Sequence, residues 1–441
     1  MPRPGTLPID SPTDEQIVCH VDADCFYVSC ERLREPELRD EPVIVGMGYA
    51  EGESHGAVAT ASYEAREYGV ESAQSIEEAL EALPRRADAD ADEEPTAYYR
   101  PVDMDYYESI SDDVRDVLDE YADVVRPVSI DEAYLDVTDR TDWAHAASFG
   151  DDLKGKIQDR AGIVVSVGIA PAMSAAKIAS DVDKPDGLTV VEPGEVRAFF
   201  GPLDVEAIHN VGPATARELR EMDIETAGDL ASADPDRLSN RFGERGRTIY
   251  RYARGEDDRD VTPRDDPKSF SRESAFSEAV SEFDRVEKRI QTLASAVADR
   301  AARNGALYQT IGIKVVEPPF DVHTRARSLS GPVEDPALVA DVAADLLSEF
   351  DKASVRKVGV RVSNLSFTDR EQVALSGFDT ASTHDDEEPV VNETESIDDH
   401  SDDTVATEAQ TATSGGDHAA ISGETTGNHN LAGQTSLFDF G

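Results

Sequence analysis

Basic residues are scarce in this chain: 42 Lys and Arg stand against 92 Asp and Glu, a formal charge of −50 at pH 7. The acidic excess runs along almost the whole sequence, so bulk charge attracts no nucleic acid, and any locally neutral or basic stretch carries weight. Cysteine is nearly absent. Cys19, Cys25 and Cys30 fall close together with no Cys-x-x-Cys pair, which excludes a disulfide framework and reads as buried thiols in a reducing cytoplasm. No apolar run is long enough to span a bilayer, and the opening Met-Pro-Arg-Pro-Gly has no apolar h-region, so no membrane association is expected and the chain reads as cytoplasmic. At 441 residues the chain exceeds one ordinary core, and two to four domains are expected.

Against these shortages, the stretch from Ile17 to Tyr27 carries the first chemical signal. An apolar run leads into Asp22 and Asp24 and leaves through Phe26 and Tyr27. On a strand the i, i+2 spacing puts both carboxylates on one face, where they suit a hard cation such as Mg²⁺. In so acid-rich a chain the same spacing alone also fits a half-buried strand with an acidic face.

A helix is expected from Val28 to Leu38 and a strand from Pro42 to Gly46. After a Gly-rich acidic loop, Thr60, Tyr63 and Arg66 follow a glycine turn, with Tyr63 and Arg66 on one face of a helix. Arginine there suits phosphate oxygens, and equally a solvated surface. Ala87–Glu94 reads as an exposed acidic insertion and Asp103–Tyr121 as an amphipathic helix. Asp131 and Glu132 lie inside two β-rich runs from Arg126 to Val137; being adjacent, they point to opposite faces of a flat strand and converge only if the backbone turns there. A helix (Asp142–Arg160), a buried strand (Ile163–Ala170) and a helix with small residues on its packing side (Pro171–Ser180) follow. Lys184 stands in a Lys-Pro-Asp-Gly turn.

Residues 195–255 read as short helices joined by a Val-Gly-Pro hairpin at Gly212 and a second hairpin at Gly243. Helix N-termini at such turns offer backbone N–H groups to a phosphate without any basic side chain. A charged linker with two prolines covers Glu256–Pro267. Residues 268–367 break the acidic trend, with 14 Lys and Arg against 14 Asp and Glu. Strands at Thr310–Val316, Phe320–Leu329 and Lys357–Leu365 alternate there with helices at 283–303 and 335–351, and basic residues on such strands could track a phosphate backbone. From 369 the chain is polar and acidic, expected to be disordered, and ends in the apolar cluster Gln434–Gly441.

Four segments together, Val-Asp-Ala-Asp-Cys-Phe-Tyr, Gly-Ala-Val-Ala-Thr-Ala-Ser-Tyr-Glu-Ala-Arg, Ser-Ile-Asp-Glu-Ala-Tyr-Leu-Asp and Lys-Pro-Asp-Gly, resemble in order and spacing the Y-family DNA polymerases of the DNA polymerase IV type. The acidic composition is similar to that of halophilic archaeal proteins. The resemblance implies an α+β multidomain fold: a palm with a mixed, mostly antiparallel sheet at 15–25 and 102–191, fingers at 26–101, a helix-hairpin-helix thumb at 192–255, a linker at 256–267 and an α/β little finger at 268–368. A leader (1–14), an acidic disordered tail (369–433) and a clamp-binding peptide (434–441) flank them.

It also implies template-directed, low-fidelity synthesis past damage by two-metal phosphoryl transfer, without a proofreading exonuclease. Asp22, Asp131, Glu132 and the Ala23 carbonyl would hold two Mg²⁺ ions, with Glu132 as the catalytic carboxylate and Asp24 supporting from behind. Tyr27 would be the steric gate against ribose, and Thr60, Tyr63, Arg66 and Lys184 the dNTP contacts. Gly212, Gly243, Arg272, Arg325 and Arg327 would meet primed template DNA, and Gln434, Leu437 and Phe440 a sliding clamp, with Gly441 standing where many such peptides carry a second aromatic. The working unit would be a monomer. A nucleotide cyclase can also use a palm-like sheet, but needs no hairpin thumb or clamp peptide; a DNA-binding scaffold needs no carboxylate trio.

Overall fold

A computed structural model describes residues 16–88 and 95–367. The leader, most of the acidic insertion, the acidic tail and the clamp-binding peptide expected from the sequence lie outside the described residues.

The chain opens with β1 (Val18–Ala23), α1 (Phe26–Arg34), β2 (Val43–Met47), β3 (Ala57–Ala61), α2 (Tyr63–Arg66), α3 (Ile76–Ala82), β4 (Tyr98–Pro101), α4 (Met104–Tyr121), β5 (Val124–Pro127), β6 (Glu132–Asp136), α5 (Ala146–Ala161), β7 (Val165–Ala170), α6 (Met173–Val182) and β8 (Leu188–Val190). Five of these strands form one sheet in the order β5-β6-β1-β7-β8. Only β7 and β8 run parallel, so the sheet is mixed and mostly antiparallel, as expected. A separate three-stranded sheet, β3-β2-β4, belongs to the inserted segment.

Strand alternation divides β1 between two faces. Cys19, Val21 and Ala23 pack with Tyr107 and Leu118 of α4 and Leu153 and Ile157 of α5. Val18 packs with Ala175, Ala176 and Ala179 of α6. Small residues on α6 are half the reason the helix lies so low on the sheet. Gly168 on β7 is the other half: a Cβ there would collide with the Ala176 carbonyl and the Ser180 amide.

Three local expectations shift. β1 stops at Ala23, so Asp24 is not on the strand beside Asp22 but in the turn after it. The first helix begins at Phe26 rather than Val28, because Cys25 takes a left-handed conformation (φ 47°) and turns the chain at once; this puts Tyr27 on the helix. α5 starts only at Ala146, since Asp142 forms a turn whose carboxylate accepts from the His145 amide at 3.0 Å.

Beyond β8, five helices follow: α7 (Val196–Phe200), α8 (Pro213–Arg220), α9 (Ala227–Ser232), α10 (Pro235–Phe242) and α11 (Glu244–Ala253). The Gly243 hairpin joins α10 directly to α11, with Gly243 at φ 63°. The Gly212 turn differs from expectation: only the single 3-10 turn Val205–Ala207 precedes it, not a helix. Arg245 donates from Nη2 and Nε to the Asn210 carbonyl at 2.8 and 3.2 Å, tying the two turns together.

The linker is pinned down. Asp257 is buried; its carboxylate accepts from the Ser174 amide at the start of α6 at 3.0 Å and from Arg259 Nε and Nη2 at 2.7 and 2.9 Å. Val261 is buried in the core shared by α6 and the helical segment. Further on, Arg126 of β5 donates to the Thr262 carbonyl, and Arg264 donates to the Val128 carbonyl.

The last described segment comprises β9 (Ser269–Val280), α12 (Phe283–Arg303), β10 (Ala306–Glu317), β11 (Asp321–Val333), α13 (Pro336–Leu347) and β12 (Val355–Phe367). Its antiparallel sheet runs β11-β10-β12-β9, with both helices packed on one face. β9 had no counterpart in the sequence reading, because four polar residues follow Phe270 in a row and no β-branched residue occurs before Val280.

Candidate active site

The pairing of β1 with β6 sets Asp22 opposite Glu132. Asp131 closes the β5–β6 turn, and its carbonyl accepts from the Ala23 amide at 2.9 Å. Residues 129–131 bend just before β6, which is the condition under which two adjacent carboxylates can serve one site. All three sit at one end of the sheet.

Each carboxylate has its own partner. Lys184 Nζ lies 2.6 Å from Asp22 Oδ1 and 2.8 Å from Asp181 Oδ1. Lys177 Nζ contacts Glu132 Oε2, and His20 Nε2 stands 3.4 Å from the same oxygen. The Ser129 hydroxyl donates to Asp131. Burial works against a charged Glu132, but His20 and Lys177 more than offset it and hold the carboxyl below its usual range. Asp131 goes the other way: burial, then the charge of Asp22, push it up to about 6.

Among the described residues no three His, Cys, Asp or Glu side chains form a ready-made metal cage. The donors nevertheless fit a hard divalent cation. All are carboxylate oxygens, and the charge of Asp22 adds to the cost of ionising Asp131, a cost that a divalent cation held between them would lower.

Asp24 is a hub of another kind. Its carboxylate accepts from the Ser166 hydroxyl at 2.9 and 3.0 Å, the Asp186 amide at 2.8 Å and the Tyr63 hydroxyl at 3.2 Å. Ser166 also accepts from the Gly187 amide at 3.1 Å. With its oxygens engaged in this way, Asp24 fixes the Lys184–Gly187 turn, whose Lys184–Pro185 bond is cis, and so aims Lys184 at Asp22.

Tyr27 is buried and stacks on Tyr107 of α4, centroids 4.7 Å apart and planes 16° from parallel. The Tyr107 hydroxyl donates to buried Glu31 at 2.7 Å. Such a stack adds about 0.5–1.5 kcal/mol beyond area burial, enough to hold the Tyr27 ring in one orientation. Nearby, Arg66 covers the Tyr63 ring at 4.8 Å and donates Nε to the Ala61 carbonyl at 3.1 Å. A second guanidinium nitrogen, Nη2, is buried without a hydrogen-bond partner, the state in which an arginine waits for an anion. Thr60 is half-buried on β3, opposite Val45.

The five residues expected at DNA are scattered. Gly212 caps α8 and Gly243 caps α11, each with open space where a Cβ would be. Arg272 is exposed on β9, opposite Val360; Arg325 and Arg327 on β11 stand opposite the core residues Ile313 and Ile311. By register the three arginines belong to the helix-covered side of the sheet. Arg325 pairs with Glu349 at 2.7 Å and Arg327 with Asp345. The opposite face carries Lys314 and Lys357, both paired with Glu273, and Arg361 in alternating register.

The sequence reading missed His20, Ser166, Lys177 and Ser180. Two signals were available: His20 precedes Asp22 by two on the same strand, and Lys177 and Asp181 follow the i, i+4 spacing of one helix face, just ahead of Lys184.

Comparison with known proteins accords with this geometry. Residues 21–181 match the model of the impB/mucB/samB family and residues 267–376 that of its C-terminal domain; residues 208–257 match the thumb domain of DNA polymerase-iota. The chain is 60% identical to DNA polymerase IV of Halobacterium salinarum over 385 residues, covering 87% of this chain and 93% of that one. Identity to DNA polymerase IV of Methanoculleus marisnigri is 37%, over 83% of this chain and 99% of the relative. Among solved structures, a Dbh-based Y-family DNA polymerase chimera superposes with a TM-score of 0.69 at 27% identity, covering 80% of this chain and all of that one. The insertion ternary complex of Dbh DNA polymerase gives 0.58 at 26% identity, with the same coverage. The carboxylates at one sheet end, the hairpin helices and the helix-backed second sheet are thus parts of one familiar whole: the chain belongs to the impB/mucB/samB family, the Y-family of DNA polymerases.

Proposed function

We propose that this chain is a template-directed, low-fidelity DNA polymerase that extends primers past damaged template by adding dNTPs to the 3′-hydroxyl. The observation that carries the site assignment is the meeting of Asp22, Asp131 and Glu132 at one sheet end; the buried, stacked Tyr27 ring and the unpartnered nitrogen of Arg66 support it. Divalent-metal dependence follows from the family; the finer reading is two Mg²⁺ ions held by Asp22, Asp131, Glu132 and the Ala23 carbonyl. When bound, the ions supply charge that acidifies the primer hydroxyl and neutralises the triphosphate and leaving pyrophosphate.

The protein's own groups do the positioning. Arg66, Tyr63, Thr60 and Lys184 grip the triphosphate, Arg66 with the guanidinium nitrogen that has no internal partner. Asp24 keeps Tyr63 and the Lys184 turn in register. Tyr27, held by Tyr107, lies under the sugar and excludes a 2′-hydroxyl. Glu132 is the catalytic carboxylate, held ionised by Lys177 and His20.

In this reading the five-stranded sheet is the palm, the three-stranded segment the fingers and residues 192–255 the thumb. Residues 268–368 are the little finger. Duplex phosphates meet the N–H groups after Gly212 and Gly243. Arg272, Arg325 and Arg327 reach DNA from the edge strands, Arg325 and Arg327 by exchanging their carboxylate partners for phosphate, an exchange that exposed ion pairs permit. The enzyme works as a cytoplasmic monomer recruited to a sliding clamp by Gln434, Leu437 and Phe440.

Purified protein in high salt with Mg²⁺ and four dNTPs should extend a primed template and continue past an abasic site; absence of extension on undamaged template at every salt concentration would refute the polymerase reading. Deleting residues 434–441 should lower clamp-stimulated synthesis while leaving clamp-free synthesis unchanged. Equal loss in both assays would remove the peptide's docking role.

A further inference from the structure

Lys177 has no role in the reading above beyond its contact with Glu132, yet it belongs to a closed ring of polar contacts. Its ammonium contacts Glu132 Oε2. The same oxygen faces His20 Nε2 at 3.4 Å. The other nitrogen of that ring, Nδ1, is 2.8 Å from the Ser180 hydroxyl, and Ser180 donates to the Lys177 carbonyl at 2.7 Å. The chain of contacts therefore runs from α6 to β6, across β1, and back to the same turn of α6. His20 is fully buried, with its ring 4.5 Å from that of Tyr134, so the ring of contacts has a rigid side. Gly168 sets its height, because only a glycine lets α6 come so close to β7.

We propose that Lys177 is a positioning residue that holds the Glu132 carboxylate with an ammonium which an incoming divalent cation displaces. The inference rests on the reading of Asp22, Asp131 and Glu132 as cation ligands. Lys184 performs the matching task at Asp22, 2.6 Å away. Without cations, three carboxylates crowded at one sheet end repel one another. The two lysines place positive charge beside two of the three carboxylates. A doubly charged ion attracts a carboxylate about twice as strongly as an ammonium at equal distance, which favours exchange toward the ion against the cost of its dehydration. Exchange also costs the loss of a good ion pair. Lys177 thus weakens cation binding while keeping Glu132 aimed.

The two effects separate in an experiment. Mn²⁺ binding to the full chain is measured by water-proton relaxation, without DNA or nucleotide, in about 1 M KCl to screen surface carboxylates. Lys177→Met should bind Mn²⁺ roughly fivefold to tenfold more tightly, a change of about 1–1.4 kcal/mol, while its single-turnover primer extension slows because Glu132 loses its orientation. Lys177→Arg keeps the charge and should retain the parental Mn²⁺ affinity. Unchanged or weaker Mn²⁺ binding in a folded Lys177→Met overturns the proposal; should that variant unfold, Lys177→Gln is judged by the same criterion. Asp131→Ala is the control. If it loses Mn²⁺ binding while the Lys177 variants match the parent, only the positioning role fails. If it binds Mn²⁺ like the parent, the ligand reading itself fails.

Discussion

Asp131→Ala should abolish primer extension, by about a thousandfold or more, while duplex DNA binding changes by less than about twofold. The size follows from what the side chain does. Phosphoryl transfer asks the protein for positioning and charge stabilisation and little else, and in the proposed site Asp131 would supply a carboxylate that no neighbour replaces. Asp22 keeps Lys184 as a partner and Glu132 keeps Lys177 and His20, so both remain folded around the gap. The fold should tolerate the change, because Asp131's contribution to the sheet is its backbone carbonyl on the Ala23 amide, which alanine retains. The check is single-turnover extension alongside a DNA-binding titration. Residual extension within about tenfold of the parent would remove Asp131 from the cation site.

Tyr27→Ala should raise ribonucleotide use, narrowing discrimination between dNTP and rNTP by about a hundredfold, with a much smaller effect on dNTP insertion. A steric filter acts only as well as its wall is fixed. The Tyr27 ring is fixed on its far side by Tyr107, which in turn is held by Glu31. Removing the ring opens a space into which a 2′-hydroxyl fits, and a pocket that no longer clashes cannot reject an isostere that merely adds a hydroxyl. The measurement is the ratio of kcat/KM values for the two nucleotide types. An unchanged ratio would return Tyr27 to the core as an ordinary packed aromatic.

Much of the candidate site was legible in the residues themselves. Asp22, Asp131, Glu132, Tyr63, Arg66 and Lys184 stand in local patterns whose spacing survives in the fold, and the condition set for Asp131 and Glu132, a turn in the backbone, is met. What was not legible depends on long-range contact. Ser166 is one serine among many until the pairing of β1 with β7 sets it opposite Asp22 and its hydroxyl meets Asp24. Lys177 is one charge on an amphipathic helix until Gly168 lowers that helix onto the sheet. Asp24 was placed on the strand because strand alternation cannot foresee the left-handed residue that ends it, Cys25 at φ 47°. In the last sheet the basic residues were visible, but not which face they share, because a face is fixed by register and one strand, β9, went unread.

The pinned linker also sets a leash length. Were residues 256–268 free, thirteen residues could span roughly 45 Å. Asp257 is locked to α6, and residues 262 and 264 are bonded to the β5 edge and the turn beyond it, so only residues 265–268 remain as slack, roughly 14 Å. A short leash confines the last sheet to a small search volume and raises its effective concentration beside the five-stranded sheet. For a protein of net charge −50, whose long-range field repels DNA, that is an alternative to electrostatic capture: under the function proposed above, the last sheet would reach the duplex because it has nowhere else to go.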